Sequence, residues 1–147
     1  MIKKTLPLLL LAASCQKTPP HWTAAHIEGT TNLTYHDIDP LNGIDLEMVT
    51  GSEGTSLYLD VHSHPIPPYA SNPKEAIVTL STGEEKLVVL AVRRDGGQRL
   101  VVPLEAHAFI LATLRQGLPL TIELEGYSTT IEAKNFKAIK ELQETRH

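Results

Sequence analysis

Short apolar/polar alternations, each cut off by turn-forming residues, constrain this chain more than any other feature of it. Ile44, Leu46 and Met48 alternate with Asp45, Glu47 and Val49, and after Gly51-Ser52-Glu53-Gly54 the alternation resumes at Leu57, Leu59 and Val61. A period of two sends successive side chains to opposite faces, so each segment reads as a half-buried strand and the two together as a β-hairpin. Upstream, Leu33-Thr34-Tyr35 predicts a short strand that stops at Asp39-Pro40-Leu41-Asn42-Gly43. There proline presets one turn dihedral, and Asn and Gly tolerate the left-handed region.

Further along, Pro65, Pro67, Pro68 and Pro73 exclude a central strand from residues 65–73, because proline gives no hydrogen bond to a ladder. Residues 76–80 rise into a strand, residues 81–84 turn, and the unbroken apolar run at residues 87–92 predicts a strand covered on both faces. Asp95-Gly96-Gly97 closes a hairpin onto residues 99–102. The period then changes. Ala106, Phe109, Ile110, Thr113 and Leu114 recur at helical spacing, with Pro103 and Glu105 in the first turn and Gly117 and Pro119 past the end. Leu120, Ile122 and Leu124 alternate again, a last strand follows at residues 129–133, and Asn135 opens a closing helix with Phe136, Ile139 and Leu142 turned inward. Roughly eight short strands and two helices define a mainly β, α+β domain, a small antiparallel β-sandwich or sheet with two covering helices. A chain of 147 residues, 41% apolar, supports one such core. The layout resembles, over residues 55–142, the small periplasmic β-sandwich proteins that accompany bacterial secretion and invasion systems. That resemblance implies a binding role and an envelope or secretion-associated protein partner.

The first fourteen residues follow a different logic. Lys3 and Lys4 precede an apolar run at residues 6–13 and then small residues, the pattern of an export leader that is removed from the working protein. The run falls well short of the roughly 20 residues that a membrane-spanning helix needs. Cys15, the single cysteine, directly follows Ala12-Ala13-Ser14. This resembles the lipobox of bacterial lipoproteins, and the resemblance implies a signal peptide at 1–14, acylation of Cys15 and attachment to a membrane. Ala12 stands where that motif prefers leucine, so ordinary cleavage and soluble secretion is the alternative. Gln16, in place of aspartate, implies sorting to the outer membrane, facing the periplasm, under the enterobacterial rule. Residues 15–32 are polar, contain Pro19-Pro20 and suit an extended tether, which leaves residues 33–147 for the globular domain. Trp22 is the exception in that tether, and packs on the domain edge or sits at headgroup level.

Removing Lys3 and Lys4 with the leader leaves 11 Lys and Arg against 17 Asp and Glu, and moves the formal charge from −4 to −6. Nucleic-acid binding leans on clustered cations, so an acidic domain predicts no nucleic-acid partner. Acylation of Cys15 would also leave no thiol for a disulfide, for catalysis or for a metal.

His62-Ser63-His64-Pro65, with Glu75 beyond it, is the one stretch with metal-site chemistry. It is similar to the zinc signature of JAMM-type metallopeptidases. That resemblance implies His62, His64 and Glu75 as zinc ligands, a zinc-bound water as nucleophile and Glu47 or Glu28 as general base. Two imidazoles and one carboxylate would leave the open tetrahedral position that zinc hydrolysis requires. The chain departs from the family at Asn72, where serine is expected, at Glu75, where aspartate is expected, and in the strand-like residues 76–80 where that acid should open a helix. The competing expectation, which the residues favour, makes His62 and His64 solvated side chains at a strand end, with no metal, no cofactor and no catalytic set. His21, His26 and His36 share no spacing, and Ser52, Ser63 and Ser128 lack a nucleophile elbow. Glu123 and Glu125 alternate on one strand, and Arg93, Arg94 and Arg99 flank one hairpin as a possible cationic spot. The leading expectation is a lipid-anchored, non-catalytic binding protein of the cell envelope; the alternative is a zinc-dependent hydrolase.

Overall fold

The computed structural model describes residues 21–69 and 71–145. Among them the elements run β1 (His21–Ile27), β2 (Thr30–His36), β3 (Ile44–Gly51), β4 (Gly54–Val61), β5 (Glu75–Thr82), β6 (Glu85–Arg93), β7 (Arg99–Val101), α1 (Leu104–Arg115), β8 (Leu120–Leu124), β9 (Tyr127–Ile131) and α2 (Phe136–Thr145). All nine strands join one antiparallel sheet in the order β1-β2-β3-β4-β7-β6-β5-β8-β9. The fold is mainly β with two short helices, as the alternations predict.

The order follows from how the chain leaves β4. A proline cannot continue the ladder, so residues 65–73 carry the chain away from β4, and β5, β6 and β7 then step back by hairpins until β7 pairs with β4. Helix α1 crosses from β7 to the far side of β5, where β8 pairs. It buries Ala106, Ile110, Thr113 and Leu114, the face its 3.6-residue period supplies. The sheet curls enough that β9 lies against β3. One core fills the inside, with Leu33, Ile44, Leu46, Leu57, Leu59, Leu80, Leu100 and Phe136 among its fully buried side chains.

Two expectations need correction. The tether expected at residues 15–32 does not extend over residues 21–32, because residues 21–36 form the β1–β2 hairpin; residues 15–20 lie outside the described residues. Its turn, Glu28-Gly29, takes positive φ at both residues (43° and 83°), the twist that suits a two-residue hairpin loop. Only Trp22 in β1 is buried, so the strand has no alternation to read. Trp22 packs its ring 5.0 Å from that of Phe136 and 5.4 Å from that of Tyr35, and its indole N–H donates to the Glu132 carbonyl at 3.2 Å. It therefore fastens the first strand to the chain segment between β9 and α2, as a packing residue of the domain.

The second correction concerns residues 87–92. They form β6, but only one face is covered. Val89 and Ala91 point into the core, while Val88, Leu90 and Val92 on the outer face are 58%, 38% and 49% exposed. Beside them on β5, Ile77 is 43% exposed. An unbroken apolar run does not say whether a second layer exists to cover it.

Replacing Trp22 by alanine removes both ring contacts and the hydrogen bond, and should cost about 3–5 kcal/mol. Urea unfolding of the Trp22→Ala chain tests this; an unchanged midpoint would mean that the first hairpin does not contribute to the domain.

Candidate functional site

Two regions of the surface carry the chemistry. The first gathers around the exit from β4. Asp37 and Asp39, in the turn between β2 and β3, fold it with their side chains: Asp37 accepts from the Asp39 and Ile44 N–H groups at 3.1 and 3.2 Å, and Asp39 from Leu41 and Asn42 at 2.9 and 3.0 Å. This is ordinary Asx-turn chemistry. Asp37 also accepts from the Thr129 hydroxyl of β9, which ties the turn across the curled sheet.

His62 enters this turn. Its Nδ1 lies 2.6 Å from the Asp39 carbonyl oxygen and its Nε2 2.7 Å from Asp45 Oδ1. Carbonyl and carboxylate oxygens only accept, so both contacts together favour the ring that carries a proton on each nitrogen. Burial alone would lower its pKa. That pull is outweighed by the Asp45 hydrogen bond, the Asp39 carbonyl and the charges of Asp45 and Asp37, and the net shift is upward from 6.5. The same acids raise the Tyr35 hydroxyl to about 12, where burial is the largest cause, followed by Asp37, Glu132 and Asp45. Gly43 makes room for the ring: a Cβ there would meet Asp39 O at 2.3 Å and His62 Nδ1 at 2.6 Å.

Next to it on the outer face, Arg99 of β7 donates to Glu47 Oε1 at 2.7 Å and to both Asp60 oxygens at 2.9 and 2.8 Å, with its Cζ 3.9 Å above the Tyr58 ring. Burial raises the Asp60 pKa against the opposing pull of Arg99, with Glu47 and Asp45 adding to the rise. Arg93 donates to the Ile66 and Pro73 carbonyls. The expected cationic spot is therefore divided: Arg93 and Arg99 are both engaged by the protein itself.

The structure does not bring His62, His64 and Glu75 together as a ligand set. Both His62 nitrogens face oxygen acceptors and offer no lone pair to a cation. His64 is exposed, and it is held through its backbone, whose N–H and carbonyl both bond the Tyr127 hydroxyl. Glu75 opens β5 and accepts from Asn72 Nδ2 at 2.8 Å. Among the described residues no group of three or more His, Cys, Asp or Glu side chains could hold a metal ion. Glu28 sits in the β1–β2 turn and Glu47 in the Arg99 cluster, so neither faces the histidines as a base. The expectation of solvated histidines holds for His64 and fails for His62, which is a strut. Cys15 lies outside the described residues.

The second region is a groove of about 420 Å³ between the proline segment and the sheet. Pro67, Pro68 and Tyr69 wall it, Ile77 and Thr79 of β5 floor it, and Glu123 and Glu125 stand on the opposite rim. The wall is fixed at several points. Ile66 N–H bonds Gly97 O at 2.8 Å, Tyr69 N–H bonds Glu75 O at 2.7 Å, and Gln98 Nε2 donates to Ser63 O at 2.7 Å. Sequence alone gave the proline loop but not its anchoring. Asp37-x-Asp39 before the Pro-Leu-Asn-Gly turn was the available signal for the polar cluster. No family model, no characterised protein and no solved structure matches the chain.

A histidine whose folded pKa is raised adds stability that is complete below its unfolded pKa and is lost as pH rises through the folded value. The urea midpoint of the native chain, taken relative to His62→Gln, should therefore fall as pH rises from below 6.5 through the folded value. A difference that does not change with pH would mean that folding does not raise the affinity of His62 for its proton. Gly43→Ala should destabilise the chain by about 1–3 kcal/mol, since the turn or the ring must shift.

Proposed function

We propose that this chain is a membrane-anchored bacterial lipoprotein, held by acylated Cys15, whose β-rich domain acts without catalysis by binding an envelope protein or polymer. The anchor reading rests on the leader at 1–14, the sole cysteine behind Ala12-Ala13-Ser14, and the polar segment that follows. Gln16 favours the outer membrane, with the domain facing the periplasm. Among the described residues no helix is long and apolar enough to cross a membrane.

The binding reading is carried by one observation: Ile77, Val88, Leu90 and Val92 stand together on the outer face of the sheet's centre, uncovered. Contiguous apolar surface rimmed by polar groups marks interaction sites. The side chains with reactive chemistry support the same reading, because His62, Arg99, Asp60 and Glu47 are engaged with one another or with backbone.

Mass spectrometry of the chain from cells tests the anchor. The expected product begins at Cys15 and carries the mass of its acyl chains, and Cys15→Ser should leave the membrane fraction. An unmodified Cys15 or a retained leader would overturn the anchor. Cross-linking in intact cells should give a discrete adduct with an envelope component; recovery of the chain alone would contradict the binding role.

A further inference from the structure

The outer face of the sheet is polar nearly everywhere except on β5 and β6. Asp45 and Glu47 occupy it on β3, Asp60 on β4, Glu123 on β8, and Ser128 and Thr130 on β9. At the centre, Ile77 pairs across with Leu90, Val88 follows two residues before Leu90 and Val92 two after it, and Val92 pairs with Val101 of β7. The stripe opens at Ile77 into the groove walled by Pro67, Pro68 and Tyr69.

Three properties of this surface define what fits it. Strands β5 and β6 pair with each other along their length, whereas β8 pairs β5 only at Thr79, Leu80 and Ser81, and β7 pairs β6 only at Val92 and Arg93. The floor therefore offers exposed apolar side chains, and the part of β5 before Thr79 has no β8 partner beside the groove. The wall is held in place by Arg93, Gln98 and the Gly97 carbonyl, so little ordering cost falls on binding. The charged side chains that line the groove are Glu123 and Glu125. Two carboxylates beside an apolar floor complement a cation on an aliphatic stem and repel an anionic polymer or headgroup.

We propose that this groove, with the stripe beside it, binds an extended segment of a partner protein that presents apolar side chains and lysine or arginine on one face. The apolar side chains cover Ile77, Val88 and Leu90. The basic stem lies along Tyr69 and Ile77, with its head at Glu123 and Glu125. This rests on the binding role proposed above and specifies its site and the chemistry of the partner.

The test uses the chain from Gln16 onward, which contains the whole described core, and labelled extended peptides whose every second residue is by turns valine and lysine, valine and glutamate, or serine and lysine, with serine between. Fluorescence anisotropy should show saturable binding of the valine–lysine peptide alone. Glu123→Gln with Glu125→Gln should weaken it roughly tenfold and flatten its salt dependence. Val88→Ser with Leu90→Ser, both on the solvent face, should weaken it by a similar factor while the far-UV spectrum and urea midpoint stay near native. Glu53→Gln with Glu105→Gln, remote from the groove, should leave it unchanged. Equal binding of the serine–lysine peptide, or equal loss in the remote variant, would reduce the effect to general charge attraction and overturn the proposal. Binding of glycan strands or lipid vesicles with all peptides refused would overturn it and leave the wider binding role standing. Refusal of every ligand, together with no adduct in cells, would defeat both.

Discussion

The ring of His62, held between the Asp45 carboxylate and the Asp39 carbonyl, is the contact on which the layout of the proposed binding surface depends. It sits where β4 ends, and it fixes the direction in which the chain departs. From there the path is set by a series of local bonds: the His64 backbone on the Tyr127 hydroxyl, Ser63 on Gln98, Ile66 on Gly97 and Arg93, and Pro73 on Arg93. Each is worth only about 0.5–1.5 kcal/mol net. Together they hold a segment that its prolines bar from any ladder. The groove exists because that segment stands off from β5 at a fixed distance.

Half-buried charges are costly unless paired, and the chain pairs them closely. Three carboxylates on the outer face, Asp45, Glu47 and Asp60, are matched by His62 and Arg99. This cluster offers no reactive group to a substrate, and its acids bond protein donors. The outer face thus separates into a self-satisfied polar half around β3, β4 and β7, and an apolar stripe with an acidic rim around β5, β6 and β8. The first half is held by its own ion pairs, and the second carries the proposed recognition surface.

Most of the fold could be read from the chain because alternation and turn chemistry are local properties. Ile44 to Val61 and α1 stand where their periods placed them. What escaped depended on contacts between distant residues. The strand β1 has a single buried side chain, Trp22, and its partners Tyr35, Glu132 and Phe136 are spread through the chain. The bare face of β6 escaped for a related reason: a run of valine and leucine gives hydrophobicity, and whether another layer covers it is a property of topology. His62 was legible as chemistry and not as geometry. Its two acceptors come from residues 39 and 45, in a turn whose Asp-x-Asp-Pro-Leu-Asn-Gly letters announce only that the chain reverses.

The most direct measurement of the account is the ¹⁵N spectrum of the His62 ring in the folded chain across pH. Both ring nitrogens should keep their protons to a higher pH than in a free imidazole, with a titration midpoint above 6.5. A midpoint at or below 6.5 would contradict the strut, and a shift of a ring nitrogen on adding zinc would return His62 to the role of a ligand.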